Sequence, residues 1–223
     1  MTTFGRTNAQ ISHRWVEPLT GFDASCVDSL APGTPVCVRG QAPFYGHLLR
    51  DRKDLLCAVF SGFEIERAQS EAHANDLTGA LLVQHLSSSG RGQLDFYFVQ
   101  VRRALEEFQW AGLLRAVEEA REEGLVRFLG LEVCGPVVGV LAQWRFHDAF
   151  EVVMAPRNAF CEESFRSVQA ASAERRVGLV STNSDGTEQA EAASKDHAVV
   201  FGAINASVCA LWTGSRAKIG TEL

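Results

Sequence analysis

The chain has 223 residues, 46% of them hydrophobic, and a formal net charge of −6. That length allows one large domain or two small ones with a proper core. Acids and bases are interspersed with no basic stripe, which argues against a nucleic-acid partner, and no apolar run approaches the roughly 20 residues that span a bilayer. The opening MTTFGRTNAQ lacks the apolar core of a secretory signal, so a cytoplasmic protein without membrane contact is expected. Six cysteines, at positions 26, 37, 57, 134, 161 and 209, show no CxxC and no paired metal spacing. Four fall in expected strands, so they read as small buried apolar residues in a reducing compartment, and no metal site is expected.

In chain order, Phe4–Gln10 is polar and turn-like, and Ile11–Val16 is a short strand ending at Glu17-Pro18. Gly21, Pro32, Gly33 and Pro35 limit any helix in the next segment to two turns, around Ser25–Leu30. Pro35–Arg39 reads as a strand, Pro43–Lys53 as a short helix and Asp54–Ser61 as a strand. Glu64–Leu86 reads as a helix with Leu77, Leu81 and Leu82 inward, and Ser87–Gly92 as a loop.

The clearest stretch follows. Leu94–Val101 (LDFYFVQV) is aromatic and β-branched, as a buried strand requires. Gln109–Gly124 places Leu113, Leu114 and Val117 at helical spacing, and Gly124 supplies the stop. Val126–Cys134 is a second strand, Pro136–Ala149 a helix and Phe150–Pro156 a third strand. Beyond it, Cys161–Arg176 reads as a helix and Val177–Ser181 as a strand. Asp185-Gly186 breaks the chain, Glu188–Ile204 reads as helical, Ser207–Trp212 as the last strand, and Thr213–Leu223 leaves room for about two helical turns.

Parallel strands need long crossovers, usually helices. Eight strand–helix pairs therefore predict an α/β fold, a compact (β/α)8 TIM barrel in a single domain with short first and last helices. A doubly wound sheet shares the local pattern, but no GxGxxG follows any strand. The first and eighth helices are neighbours in a closed barrel, so the outer wall is thin there. An uncovered flank exposes apolar surface, which predicts a homodimer through that flank.

Taken together, several stretches resemble a shortened aldo-keto reductase. FGRTNAQISHRW is similar to that family's opening GRTG-x-x-V-S, LDFYFVQV to its fourth strand, and EEGLVRFLGLEVC to its KxGKVRxIGVSNF stretch. FEVVMAPRNAF is similar to its sixth strand, and ALWTGSRAKI to its last strand and phosphate loop. The resemblance implies NADPH-dependent carbonyl reduction at the C-terminal mouth of the barrel, by a tyrosine acid with a lysine, an aspartate and a histidine.

Of these four, only the tyrosine carries over, as Tyr45. The aspartate falls on Gly40, the lysine on Phe60 and the histidine on Gln100. The cofactor contacts become Glu132, Val133, Met154 and Thr182, and glycines of the first strand become Trp15 and Glu17. Gly214, Ser215 and Arg216 keep the look of a relic phosphate loop. A tyrosine in water titrates near ~10 and needs a nearby cation to act as an acid at neutral pH. The sequence therefore argues against hydride transfer and for a chain without a redox cofactor.

Barrel active sites lie at the C-terminal ends of strands. The mouth candidates there are Glu17, Gln41, Tyr45, Ser61, Gln100, Glu132, Arg157, Asn158, Asn183, Asp185, Thr213 and Arg216. Glu17 and Glu132 are the expected acid–base pair, Arg157 the group holding an anionic oxygen, and Tyr45 a hydrogen-bonding residue. His47, Gln100, Asn158 and Trp212 are expected to bind substrate. Beside this stands a structural reading in which Glu132 is simply ion-paired with Arg157 or another arginine, and Glu17 is solvated. Arg102-Arg103 is either a solvated loop pair or an anion clamp.

Three functions follow. The first is a cofactor-independent isomerase, dehydratase or cyclase acting on a small molecule, in a biosynthetic setting. The second is a non-catalytic ligand-binding or partner subunit, favoured if Trp15, Phe60 and Trp212 plug the mouth. The third is a residual carbonyl reductase.

Overall fold

The computed structural model describes residues 4–18, 24–39, 49–157, 162–182 and, as backbone, 197–203. Its strands are β1 (Arg14–Pro18), β2 (Pro35–Val38), β3 (Leu56–Phe60), β4 (Leu94–Val101), β5 (Val126–Val133), β6 (Val152–Pro156), β7 (Gly178–Thr182) and β8 (His197–Ala203). Every pairing is parallel and follows chain order, and β8 pairs with both β7 and β1. The fold is α/β, with a curled parallel sheet of TIM-barrel type. The described helices are α1 (Ala24–Ser29), α2 (Glu71–Ser89), α3 (Glu107–Glu122), α4 (Val137–Phe146) and α5 (Glu162–Arg175). Of the segment expected as a helix at Pro43–Lys53, residues 43–48 lie outside the described residues, and Leu49 and Arg50 are helical.

Alternation along the strands divides the core in two. One set of side chains, including Trp15, Cys37, Phe60, Phe96, Phe98, Phe128 and Met154, fills the lumen. The other set, including Val16, Val36, Tyr97, Val99 and Leu131, packs outward against helix residues such as Trp110, Leu113 and Trp144. Both faces of β4 are covered, which is why LDFYFVQV is buried at seven of eight positions and does not alternate in polarity. Phe4, fully buried, closes the N-terminal end of the lumen 6.2 Å from Trp15, so the polar opening segment is anchored by one aromatic plug.

Three sequence expectations are corrected. A strand stands at His197–Ala203, on residues expected to belong to a helix from Glu188 to Ile204, while the strand expected at Ser207–Trp212 lies outside the described residues. Val199 and Val200 pair with both β7 and β1, and this non-local pairing overrides a weak helical pattern. Glu64–Leu86 is not one helix. A 3₁₀ turn at Glu64–Arg67 ends in extended Ala68, and α2 restarts behind Ser70, whose hydroxyl accepts the His73 N–H at 3.1 Å. Finally, Cys26 is disulfide-bonded, to a partner outside the described residues, so the cysteines are not all free thiols. Cys37 and Cys57 are buried and free, as expected.

The first helix is short, at six residues. The large apolar side chains exposed among the described residues are Val83, Phe108, Val138 and Phe146, on α2, α3 and α4. No described helix is long and apolar enough to cross a membrane.

Candidate functional site

The lumen ends at the C-terminal mouth in a polar layer one step above its aromatic floor. On β1, Trp15 faces the lumen, so Glu17 faces it two residues later. The same step carries Cys37 to Arg39, Phe98 to Gln100 and Gly130 to Glu132. Four polar residues from β1, β4, β5 and the end of β2 thus converge.

Arg39 is their centre. Its two terminal nitrogens donate to the two Glu132 carboxylate oxygens at 2.7 and 2.8 Å. Its Nε lies 3.0 Å from a Glu17 oxygen, and its guanidinium lies 4.1 Å above the Phe60 ring. Phe60 in turn stacks on Phe98 at 5.2 Å, and Phe98 lies so close over Gly130 that a β-carbon there would strike the ring. The amide of Gln100 donates to Glu132 at 2.6 Å, and its oxygen accepts the Gly62 N–H at 3.0 Å. Glu132 therefore accepts three hydrogen bonds from two residues with its side chain 8% exposed, while Glu17 has one cationic neighbour and is 24% exposed.

The electrostatics follow from this packing. Burial works against the Arg39 charge, but the Glu132 hydrogen bonds and the Glu132 and Glu17 charges outweigh it, so Arg39 stays firmly protonated. Burial drives the Cys37 thiol up, although Arg39 opposes this. Cys134 is exposed as a residue, yet its thiol packs beside Glu132 and Gln100. Desolvation, then the Glu132 charge, push it up to about 12, so it is a poor nucleophile at neutral pH.

Several expected residues come together here and others do not. Glu17, Gln100 and Glu132 share one layer. Arg157 is not with them: its Nε is 3.6 Å from Glu162 and its guanidinium 5.4 Å from the Phe165 ring. The cation opposite the two glutamates is Arg39, which is absent from the mouth candidates of the sequence. Its signal was available, since it ends an expected strand in phase with Cys37. Arg102 and Arg103 are both half-exposed, and both engage Glu66 of the same chain. Ser61 accepts the Gln100 backbone N–H at 3.0 Å.

Tyr45, His47, Asn158, Trp212, Gly214, Ser215 and Arg216 lie outside the described residues, as do Gln41, Asn183, Asp185 and Thr213. Among the described residues, no group of His, Cys, Asp and Glu side chains is arranged to hold a metal ion.

With this geometry established, comparison defines the class of fold. No protein-family model matches the sequence, and no curated protein matches it. Solved structures do match. An aldo-keto reductase from Brucella melitensis is 12% identical with a TM-score of 0.70, over 100% of this chain and 95% of that one. The holo form of an aldo-keto reductase from Bacillus halodurans is 15% identical with a TM-score of 0.69, covering 99% and 91%. An aldo-keto reductase of the silkworm Bombyx mori is 11% identical with a TM-score of 0.68, covering 100% and 84%. The chain has the aldo-keto reductase fold, at a sequence distance where only the fold is shared ground.

Proposed function

We propose that this chain is a divergent aldo-keto reductase superfamily member, a complete (β/α)8 barrel in one domain, that has lost NADPH-dependent reduction. The observation that carries this reading is Arg39. Its guanidinium stands above Phe60, the residue aligned with the family's lysine, and so is the one cation near the lysine's place among the described residues of this layer. Yet all three of its nitrogens are committed to Glu17 and Glu132. Two carboxylates against one guanidinium leave a formal excess of one negative charge at the mouth.

The described residues do not fit NADPH. Glu132 is occupied by Arg39 and Gln100. Val133 and Met154, at the family's amide-binding positions, are buried and apolar. The extra negative charge also opposes an anionic cofactor.

The mouth is instead suited to proton transfer on a small molecule, as in an isomerase, dehydratase or cyclase. Glu17 is the working carboxylate, because its second oxygen has no partner among the described residues. Arg39, Glu132 and Gln100 form the frame that positions it. The test is a thermal-shift screen of small metabolites followed by turnover assays on the hits. Glu17→Gln should abolish turnover with little loss of stability. Undiminished turnover in that variant removes the role.

A second reading, a non-catalytic ligand-binding or partner subunit, is favoured by Trp15 and Phe60, both buried in the lumen beneath Arg39. A homodimer through the flank beside the short α1 is proposed with either reading, and a monomer by light scattering at micromolar concentration would remove it.

A further inference from the structure

We propose that the N-terminal end of the barrel, opposite the mouth, carries a separate site for a small oxyanion, a phosphate group or a polycarboxylate. A cavity of about 380 Å³ opens beside the start of β4, lined by Arg50, Lys53, Gly90, Arg91, Gly92 and Asp95 among others. Three cations face it and one carboxylate does.

That carboxylate is already committed. Asp95 accepts the Cys57 N–H at 2.8 Å and lies 3.4 Å from Arg91 and 3.9 Å from Arg127. Arg91 is a built part of the wall, with its side chain 10% exposed. It donates to the carbonyls of Leu49, Arg52 and Leu55 at 3.1, 2.6 and 2.9 Å, fixing the segment that bears Arg50 and Lys53. Its buried Nε–H is left without a partner.

Arg50 and Lys53 are exposed and make no ion pair or hydrogen bond among the described residues. Gly90 caps α2 at φ 63°, and a β-carbon there would lie 2.8 Å from the Arg50 Nε. The glycine thus lets the guanidinium lie across the rim. The nearby acids do not neutralise the site: Asp54 is bound to Arg52 at 2.8 and 2.9 Å, and Asp51 does not line the cavity.

In a chain of net charge −6, uncompensated cations gathered around one cavity repel each other unless an anion joins them. A fork of guanidinium groups with an ammonium is chemistry that recognises phosphate and carboxylate oxygens. The site lies at the opposite end of the barrel from Arg39 and does not depend on the function of the mouth. An anion there would stabilise the fold as a bound ligand does.

The test uses the whole chain at constant ionic strength, titrated with inorganic phosphate or citrate against a chloride control. Melting temperature should rise saturably with one or both anions. The double variant Arg50→Gln/Lys53→Gln should melt near the parent without anion and bind at least tenfold more weakly. Line broadening in the phosphorus NMR spectrum of phosphate gives a second readout independent of stability. A response to phosphate assigns a phosphate-bearing ligand, and a response to citrate alone a polycarboxylate. No saturable response to either anion, or an undiminished response in the double variant, overturns the proposal.

Discussion

Arg39 holds Glu132 through both terminal nitrogens, at 2.7 and 2.8 Å, across the mouth of the barrel. The two residues lie on strands that do not touch, β5 and the end of β2, so this pair ties opposite sides of the sheet together. Removing one partner strands the other in a poorly solvated place.

Arg39→Met should therefore destabilise the chain by about 2–3 kcal/mol at neutral pH. This is below the full cost of breaking a buried pair because Arg39 is partly exposed. Adding Glu132→Gln to that variant should recover most of the loss, since the orphaned charge disappears. Urea denaturation of the single and double variants measures both. A loss under about 0.5 kcal/mol for Arg39→Met would show that the pair does no structural work.

The aromatic stack beneath the pair is set by Gly130. A β-carbon there runs into the Phe98 ring, which carries Phe60 and, above it, Arg39. Gly130→Ala should cost about 1–3 kcal/mol by overpacking and weaken the Arg39 contacts at the mouth. Chemical denaturation reads the first effect. For the second, the cost of Arg39→Met should shrink in the Gly130→Ala background.

His85 gives the fold a dependence on mild acid. It is buried against Tyr97, and desolvation holds its pKa below the usual histidine value, although the Phe60 backbone opposes this. With a depressed native pKa, the unfolded chain binds the proton more readily. The contribution of His85 is then complete above about 6.5 and is lost as pH falls through the native value. The stability advantage of the parent over His85→Leu should be smaller at pH 5 than at pH 7.5, measured by urea denaturation at each pH. An advantage that does not change with pH would contradict this.

Asp148 behaves in the opposite range. Arg6, with Arg175, holds its carboxyl below the usual aspartate value. Its contribution is present above about 3.9 and is lost as pH falls through the depressed native value. Because Asp148 is 53% exposed, Asp148→Asn should cost less than about 1 kcal/mol at pH 7, with no difference remaining at strongly acid pH. Equal stability of the two chains at pH 7 would leave the ion pair without effect.

The central part of the fold was legible because its signals are local. LDFYFVQV is a strand over the range its composition marks, Leu94–Val101, and the elements from α3 to β7 fall within a few residues of their expected bounds. What escaped was decided by contacts distant in sequence. The break at Ala68–Ser70 contains no glycine or proline; it accompanies the capture of Glu66 by Arg102 and Arg103. The eighth strand is identified by its pairing with β1 and β7, which no window around His197 contains. At the mouth, Glu17, Gln100 and Glu132, expected at the C-terminal ends of their strands, share one layer. The partner of the glutamates is Arg39, which ends an expected strand, whereas Arg157, one residue beyond the strand expected at Phe150–Pro156, is turned towards Glu162.

The most direct test of the central claim is a fluorescence titration of NADPH with the purified chain, with Arg39→Ala/Glu132→Gln as the comparison. If the guanidinium is locked by two carboxylates at a mouth that no longer fits the cofactor, neither protein should give a saturable change up to millimolar NADPH. Micromolar binding by the parent chain, with hydride transfer to any carbonyl compound, would contradict it.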